Sequence, residues 1–303
     1  MAIERQDLTT FILFERVCEL RSITRAAERS NMTVSAASRR ISLLEHAAGA
    51  ALLVRRPHGV EPTSAGLVVL RYSRDILHLC DRLKTSLAEH RGGISGQIRV
   101  YSSSSVLVEC LAVHLSQFGQ DNPLIKLELE ERPSVDTLEA LRRRQADIGF
   151  IVAGEDLSGV VTHPYASDQL VVAVPRTHRL AERTAVRLDD LVEEDHVALE
   201  RGTAVHRLVM EKARAAGRIL RTRVQVRSFD VMCQMVGRGL GIGILPRGAI
   251  GSLADALDIA LVDLAEDWTR RQFIICLPED ETPSPSTRRL VDYLLDRSKA
   301  KGA

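Results

Sequence analysis

Two groups of hydroxyl-bearing and charged residues in this 303-residue chain have the spacing for molecular recognition. The first lies at 33–45, TVSAASRRISLLE. There Val34, Ala37, Ile41 and Leu44, three or four apart, form an apolar stripe, while Ser35, Ser38, Arg39 and Ser42 fall largely away from it. A face of small hydroxyls and arginine can enter a DNA major groove, with Arg reading guanine edges and Ser reaching phosphate or base. Taken alone, an amphipathic helix with a solvated basic face would read the same way. Just downstream, Arg55 and Arg56 stand at the base of a weakly alternating segment that turns at Pro57-His58-Gly59. They are placed for phosphates or a minor groove, although a solvated loop would look similar.

The second group is a set of strand-to-helix junctions. In Tyr101-Ser102-Ser103-Ser104-Ser105-Val106 a strand ends in hydroxyls that open a helix, with Ser104 and Ser105 nearest the expected start. Such a junction offers hydroxyls and free N–H groups to an anion; plain capping beside a solvated loop is the competing account. Ser134, Ser228 and the loop Glu200-Arg201-Gly202-Thr203, with Thr203 as cap, repeat the device. Four junctions could converge on one cleft.

Other chemistry finds no support. The chain has no G-x-S-x-G elbow, H-E-x-x-H or phosphate loop, and its nine histidines lack ligand spacing. GRGLGIGILP, 237–246, lacks the order of a nucleotide loop and precedes its strand; a helix ending at Gly239 or Gly241 explains it. Arg142-Arg143-Arg144 reads as a solvated helix end. No metal or cofactor is implied. A hydrolase using the serine run is the enzymatic alternative, but no base is identifiable by spacing.

The elements that must position these residues come in two styles. A helix at 7–20 contributes Leu8, Phe11, Ile12, Phe14, Val17 and Cys18 to a core. A second, capped by Ser22, carries Ile23, Ala26 and Ala27 on one face; a turn at Ser30-Asn31-Met32 leads to the third, capped by Thr33 and closed by Gly49. Residues 52–63 read as a two-stranded wing. From Ser64 to about Arg91 there is no proline and, after Gly66, no glycine until Gly92. Val69, Ser73, Ile76, Cys80, Leu83 and Leu87 form a heptad seam there, so this helix is expected to pair with its own copy; packing against its own domain is the alternative. A flexible boundary follows at Gly92–Gly96. Beyond it strands at 98–100, 124–131, 147–152, 170–175, 197–199, 222–227, 242–245 and 273–277 alternate with helices at 105–119, 134–145, 203–217, 229–238 and 284–300. That alternation implies mainly parallel sheets with ligands at the strands' carboxyl ends.

Composition sets the outer bounds. Net charge is close to zero, 41 basic against 40 acidic residues, but residues 1–63 hold nine Arg against seven acids. No apolar run would cross a bilayer, and the first residues lack a signal peptide's apolar segment, so a soluble cytoplasmic protein is expected. Cys18, Cys80, Cys110, Cys233 and Cys276 are scattered and odd in number, which favours reduced thiols over disulfides or structural zinc.

The first sixty or so residues resemble the winged helix-turn-helix of LysR-type transcriptional regulators. The matching positions are Arg21-Ser22-Ile23, Ala26-Ala27, Ser38, Ile41, Leu44-Glu45, Gly49, Leu52-Leu53, Arg55, Thr63 and Gly66. Val34 and Ser35 stand where that family usually has Gln-Pro, removing one common polar base contact. QADIGFIV, DQLVVAVPRTHRLA and GRGLGIGILP are similar to the family's effector-binding half. The resemblance implies an N-terminal winged helix-turn-helix (1–63), a long dimerisation linker helix (64–91), and a C-terminal α/β two-lobed, periplasmic-binding-protein-like domain. One lobe is expected at 92–165 and 267–303 and the other at 166–266, with crossings near 164–167 and 266–269. DNA would meet Val34, Ser35, Ser38, Arg39, Arg55 and Arg56. A small, anionic effector would meet Ser104, Ser105, Ser134, Gly202, Thr203 and Ser228. The implied partners are a pseudo-palindromic operator, RNA polymerase and further copies of the chain in a homodimer or homotetramer, with no membrane. A ligand scavenger whose head only oligomerises is the rival; removing residues 1–63 separates the two.

Overall fold

The computed structural model describes residues 7–57, 59–89, 96–251, 253–279 and 282–301. The chain divides near residue 93 into two compact units. The first opens with α1 (Leu8–Leu20), α2 (Ile23–Arg29) and α3 (Val34–Ala48). Each starts where a short polar side chain replaces the missing helical acceptor: Asp7, Ser22 and Thr33 accept from the amides of Thr10, Arg25 and Ala36. α3 stops at Gly49, whose φ of 68° is the left-handed closure expected there. Leu13, Phe14, Val17, Ala26, Ala27 and Leu44 are fully buried between the helices. Leu13 rather than Ile12 is fully buried in α1, and Leu8 is exposed.

The wing follows as an antiparallel pair, β1 (Leu53–Arg56) and β2 (Gly59–Pro62); His58 of the expected turn lies outside the described residues. Three motif residues hold it in place. Glu45 accepts from the amides of Leu52 at 2.8 Å and Leu53 at 3.2 Å. Thr63 donates to the Ala51 carbonyl at 2.7 Å and accepts from the Gly66 amide at 2.9 Å. At Gly66 an added Cβ would lie 2.0 Å from the Leu52 carbonyl oxygen, so only glycine permits this approach.

α4 (Ser64–Glu89) is a single long helix. Its first turns correct the expected seam: Ser73 is fully buried, and Val69 and Leu70 pack on the core of the first unit. Among the described residues, the large apolar side chains exposed on α4 are Leu67, Val68, Tyr72, Ile76, Leu79 and Leu83, and those from Val68 onward are spaced 4, 4, 3 and 4. The side chain of Leu87 and the linker at 92–95 lie outside the described residues.

The second unit is built on β3 (Gly96–Ser102), a helical run 104–121, β4 (Ile125–Glu131), α7 (Ser134–Arg142), β5 (Ile148–Val152) and β6 (Val160–Pro175). The run consists of α5 (Ser104–Val106), a π-helical turn at Leu107–Leu111, and α6 (Ala112–Asp121). Next come β7 (Ala185–Val186), β8 (Asp195–Leu199), α8 (Ala204–Ala215), β9 (Arg221–Val226), α9 (Phe229–Gly237) and β10 (Gly243–Pro246). The chain finishes with α10 (Leu253–Ala256), β11 (Ile259–Leu264), β12 (Arg270–Pro278) and α11 (Pro285–Lys301). The main sheet runs β4-β3-β5-β12-β6-β11-β7, with β10 also on β6.

β6 is the strand that makes two lobes. Residues 160–169 pair with β12, and from Leu170 onward the partners are β10 and β11. Separate cores follow, one around Phe118, Phe150 and Phe273, the other around Val172, Val197 and Ile244. Parallel pairing holds for β3 with β4 and β5, for β8 with β9 and for β7 with β11. The pairings of β6 and β12 are antiparallel, correcting the mainly parallel expectation. Pro164 concealed the first half of β6: it adjoins a bulge at Tyr165, a position where a strand tolerates proline.

At the crossing, Arg271 pairs with Asp168 across the two strands, its Nε 2.9 Å from Oδ1 and its Nη2 on Oδ2. Both residues are about 95% buried, at 5% and 6% exposure. Burial pushes the Asp168 carboxyl above its ordinary range while Arg271 pulls it down.

Candidate nucleic-acid interface and ligand cleft

On α3 the buried face is Ala37, Ile41, Leu44 and Ala47. Val34, expected in that stripe, is 43% exposed because it opens the helix, one turn short of the core. Ser35 and Arg39 are exposed and Ser38 is half-buried, so they share a face with Val34. Ser35 Oγ lies 3.1 Å from the Thr33 hydroxyl. Arg40 differs from its neighbour: it is ion-paired with Asp7 at 2.8 Å and donates to Thr10 at 3.0 Å, tying α3 to the start of α1. Arg55 and Arg56 are exposed on β1, and Arg56 is paired across the wing with Glu61 at 3.3 Å. The unit therefore presents one helix face and one basic hairpin, the parts needed to enter a groove and hold a backbone.

In the second unit the strand-to-helix junctions surround a cavity of about 150 Å³ between the lobes. Ser103, Ser104, Ser105 and Ser134 line it from one lobe, Thr203 and Phe229 from the other. The run 104–121, α7, α8 and α9 all begin here, so four sets of amides without helical acceptors lie near one space. The individual roles differ from expectation. Ser103, not Ser104 or Ser105, is the cap residue of the first helix: its carbonyl accepts from the amides of Val106 and Leu107 at 3.1 and 3.2 Å. Ser134 is already inside α7, and its hydroxyl accepts from the Val152 amide at 3.4 Å. Thr203 does cap α8, accepting from His206 at 3.3 Å and donating to the Glu200 carbonyl at 3.1 Å. Ser228 caps α9 through the Val231 amide but does not line the cavity. Gly202, at φ 97°, faces a separate open groove with Arg201 and His206.

The charged lining was missed in the sequence. Glu131, at the end of β4, accepts from the Ser104 hydroxyl. Arg132 is paired with Glu130 at 2.7 Å and stacks 4.6 Å from the centre of the Tyr101 ring. Arg227 pairs with Glu200 at 3.1 Å across the opposite rim. A carboxyl-end position on a parallel strand was the available signal for Glu131 and Arg132. Ser103 is 5% exposed and, among the described residues, its Oγ has no hydrogen-bond partner.

Among the described residues no three His, Cys, Asp or Glu side chains gather as a metal site. No described helix is long and apolar enough to cross a membrane. Among the described residues the five cysteines form no disulfide; burial pushes the thiols of Cys18 and Cys233 up to about 11 and that of Cys276 to about 12.

A winged helix-turn-helix unit joined through a long helix to a two-lobed α/β unit defines a ligand-responsive, DNA-binding class of protein. The family model for bacterial regulatory helix-turn-helix proteins of the lysR family matches residues 8–67, and that for the LysR substrate binding domain matches residues 91–299. The chain belongs to the LysR family of DNA-binding transcriptional regulators with effector-binding domains. It is 25% identical over 243 residues to the HTH-type transcriptional regulator CysL of Bacillus subtilis (strain 168), covering 80% of each chain. The full-length LysR family regulator CbnR in complex with its target DNA superposes with a TM-score of 0.74 at 22% identity, over 97% of this chain and 100% of that one. The effector binding domain of QuiR in complex with shikimate matches with a TM-score of 0.60 at 17% identity, over 68% of this chain and 98% of that one.

Proposed function

We propose that the protein binds a two-fold related operator as a homodimer or homotetramer in the cytoplasm, and that a small carboxylate held between its lobes switches the outcome at RNA polymerase. It performs no catalysis in this account. Val34, Ser35, Ser38 and Arg39 read bases, and Arg55 and Arg56 hold phosphates. One head covers few base pairs, so two heads are needed for a specific site; the outward stripe Tyr72, Ile76, Leu79 and Leu83 on α4 suits pairing with a second copy. The observation that carries the ligand reading is the convergence of four helix starts on one cavity whose wall holds a Ser103 hydroxyl with no partner among the described residues. Such a space favours an anion through dipole ends and amide donors. Ligand binding favours the closed arrangement of the lobes only to the extent that it binds that arrangement better.

The experiment is a thermal-shift screen of small organic acids on the full chain beside the Ser105→Ala variant. An acid that stabilises the wild type should bind the variant about 0.5–2 kcal/mol more weakly, through one lost donor. Operator affinity without the acid should not change. Stabilisation by cations or nucleotides alone contradicts the reading.

A further inference from the structure

We propose that the ligand of the interlobe cleft is a zwitterion of the α-amino acid class, its carboxylate held at the Ser103 hydroxyl and the helix starts and its ammonium group at Glu131. This rests on the carboxylate reading above and adds a second, opposite charge to the ligand.

The charged side chains at the rim of the cavity, where Glu131, Glu200 and Arg227 are exposed, are not all balanced. Four formal charges line it: Glu131, Arg132, Glu200 and Arg227. Arg227 and Glu200 neutralise each other, and Arg132 is committed to Glu130 and to the Tyr101 ring. Glu131 is different. Its hydrogen-bond partner is the neutral Ser104 hydroxyl, and among the described residues it forms no ion pair. An exposed carboxylate with no cation paired to it among the described residues thus stands beside helix ends that attract anions. A plain anion gains from those ends but meets repulsion from Glu131, and a plain amine meets the reverse. A molecule with ammonium and carboxylate on one carbon satisfies both. Ser103 supplies the independent sign that something polar completes this wall, since a buried hydroxyl without a partner is unfavourable until one is supplied. The cavity measures about 150 Å³. It suits a small ligand.

The test is calorimetric titration of the full chain with the standard L-amino acids, each paired with its 2-hydroxy acid, which keeps the carboxylate and replaces only the ammonium. The expected result is one amino acid bound about ten- to a hundred-fold more tightly than its hydroxy partner, the range for a charged hydrogen bond. E131Q should shrink that preference to about three-fold or less without weakening the hydroxy acid. Equal binding of the two partners by the wild type overturns the zwitterion, as does an undiminished preference in E131Q. If hydroxy acids bind and Ser105→Ala weakens them, the carboxylate reading stands without the zwitterion; if neither set binds, both fall together.

Discussion

Replacing Asp168 by alanine probes the ion pair at the strand crossing between the two lobes. Arg271 is 5% exposed and keeps two hydrogen bonds to Asp168, while its Nη1 has no partner among the described residues. In Asp168→Ala the guanidinium stays buried with neither its counter-charge nor its acceptors, a loss of about 3–5 kcal/mol. For a unit of this size each kcal/mol moves the midpoint by about 2–4 °C, so the fall should be about 6–20 °C. The assay is built into the chain. Trp268 is its single tryptophan, packed on the core of the second lobe three residues before Arg271, so intrinsic fluorescence follows this unit's unfolding. The control is Asp168→Leu with Arg271→Met, which removes both charges and fills the space. It should recover most of the loss, because a buried pair is costly to break but contributes little net stability. A midpoint within about 2 °C of wild type for Asp168→Ala, or a double variant as unstable as the single, would refute the reasoning.

Three further outcomes follow from the same contacts. Arg39→Ala should weaken operator binding by about 1–3 kcal/mol and relax preference at one position per half-site, whereas equal loss on random DNA in gel-shift titrations would make Arg39 a phosphate contact. Ile76→Glu with Leu83→Glu should dissociate the oligomer, since both side chains lie on the outward stripe of α4; unchanged sedimentation would send that stripe to another partner. His196 is buried, its Nε2 donating to the Leu191 carbonyl at 2.9 Å, and burial lowers its pKa from the ordinary 6.5. The unfolded chain takes up the proton first, so the stability His196 contributes is present above about pH 6.5 and is lost as pH falls toward the lower native value. In Trp268-monitored melts, His196→Gln should flatten the decline between pH 7 and 5; an identical decline in the variant would place its origin elsewhere.

What the sequence made legible was local. Asp7, Ser22, Thr33 and Gly49 act on their own helices, and the Leu44-Glu45, Thr63 and Gly66 motif sits within about twenty residues of the wing it holds. The junctions at Ser103–Ser105, Ser134 and Thr203 were recognisable for the same reason, as hydroxyls between a strand and a helix, and they converge because strands of both lobes end at the cleft. Contacts between distant segments were not legible. Asp168 and Arg271 are 103 residues apart, and nothing in either neighbourhood announces the other. Glu131 looked like one of several charges on an alternating strand until Ser104 was brought beside it. Periodicity also misled where one helix serves two surfaces: Val69 and Ser73 keep heptad spacing with Ile76 yet turn into the core of the first unit.

Operator recognition and its control by ligand are both read by selecting bound genomic fragments with the full chain and then titrating the selected site with and without a cleft ligand. The account predicts a shared motif of two-fold related half-sites about one helical turn, or a multiple of it, apart. It also predicts that the ligand changes affinity or footprint on that site and that Ser105→Ala blunts this change. Fragments with no common motif, or a selected site that a chain lacking residues 1–63 binds equally well, would contradict it.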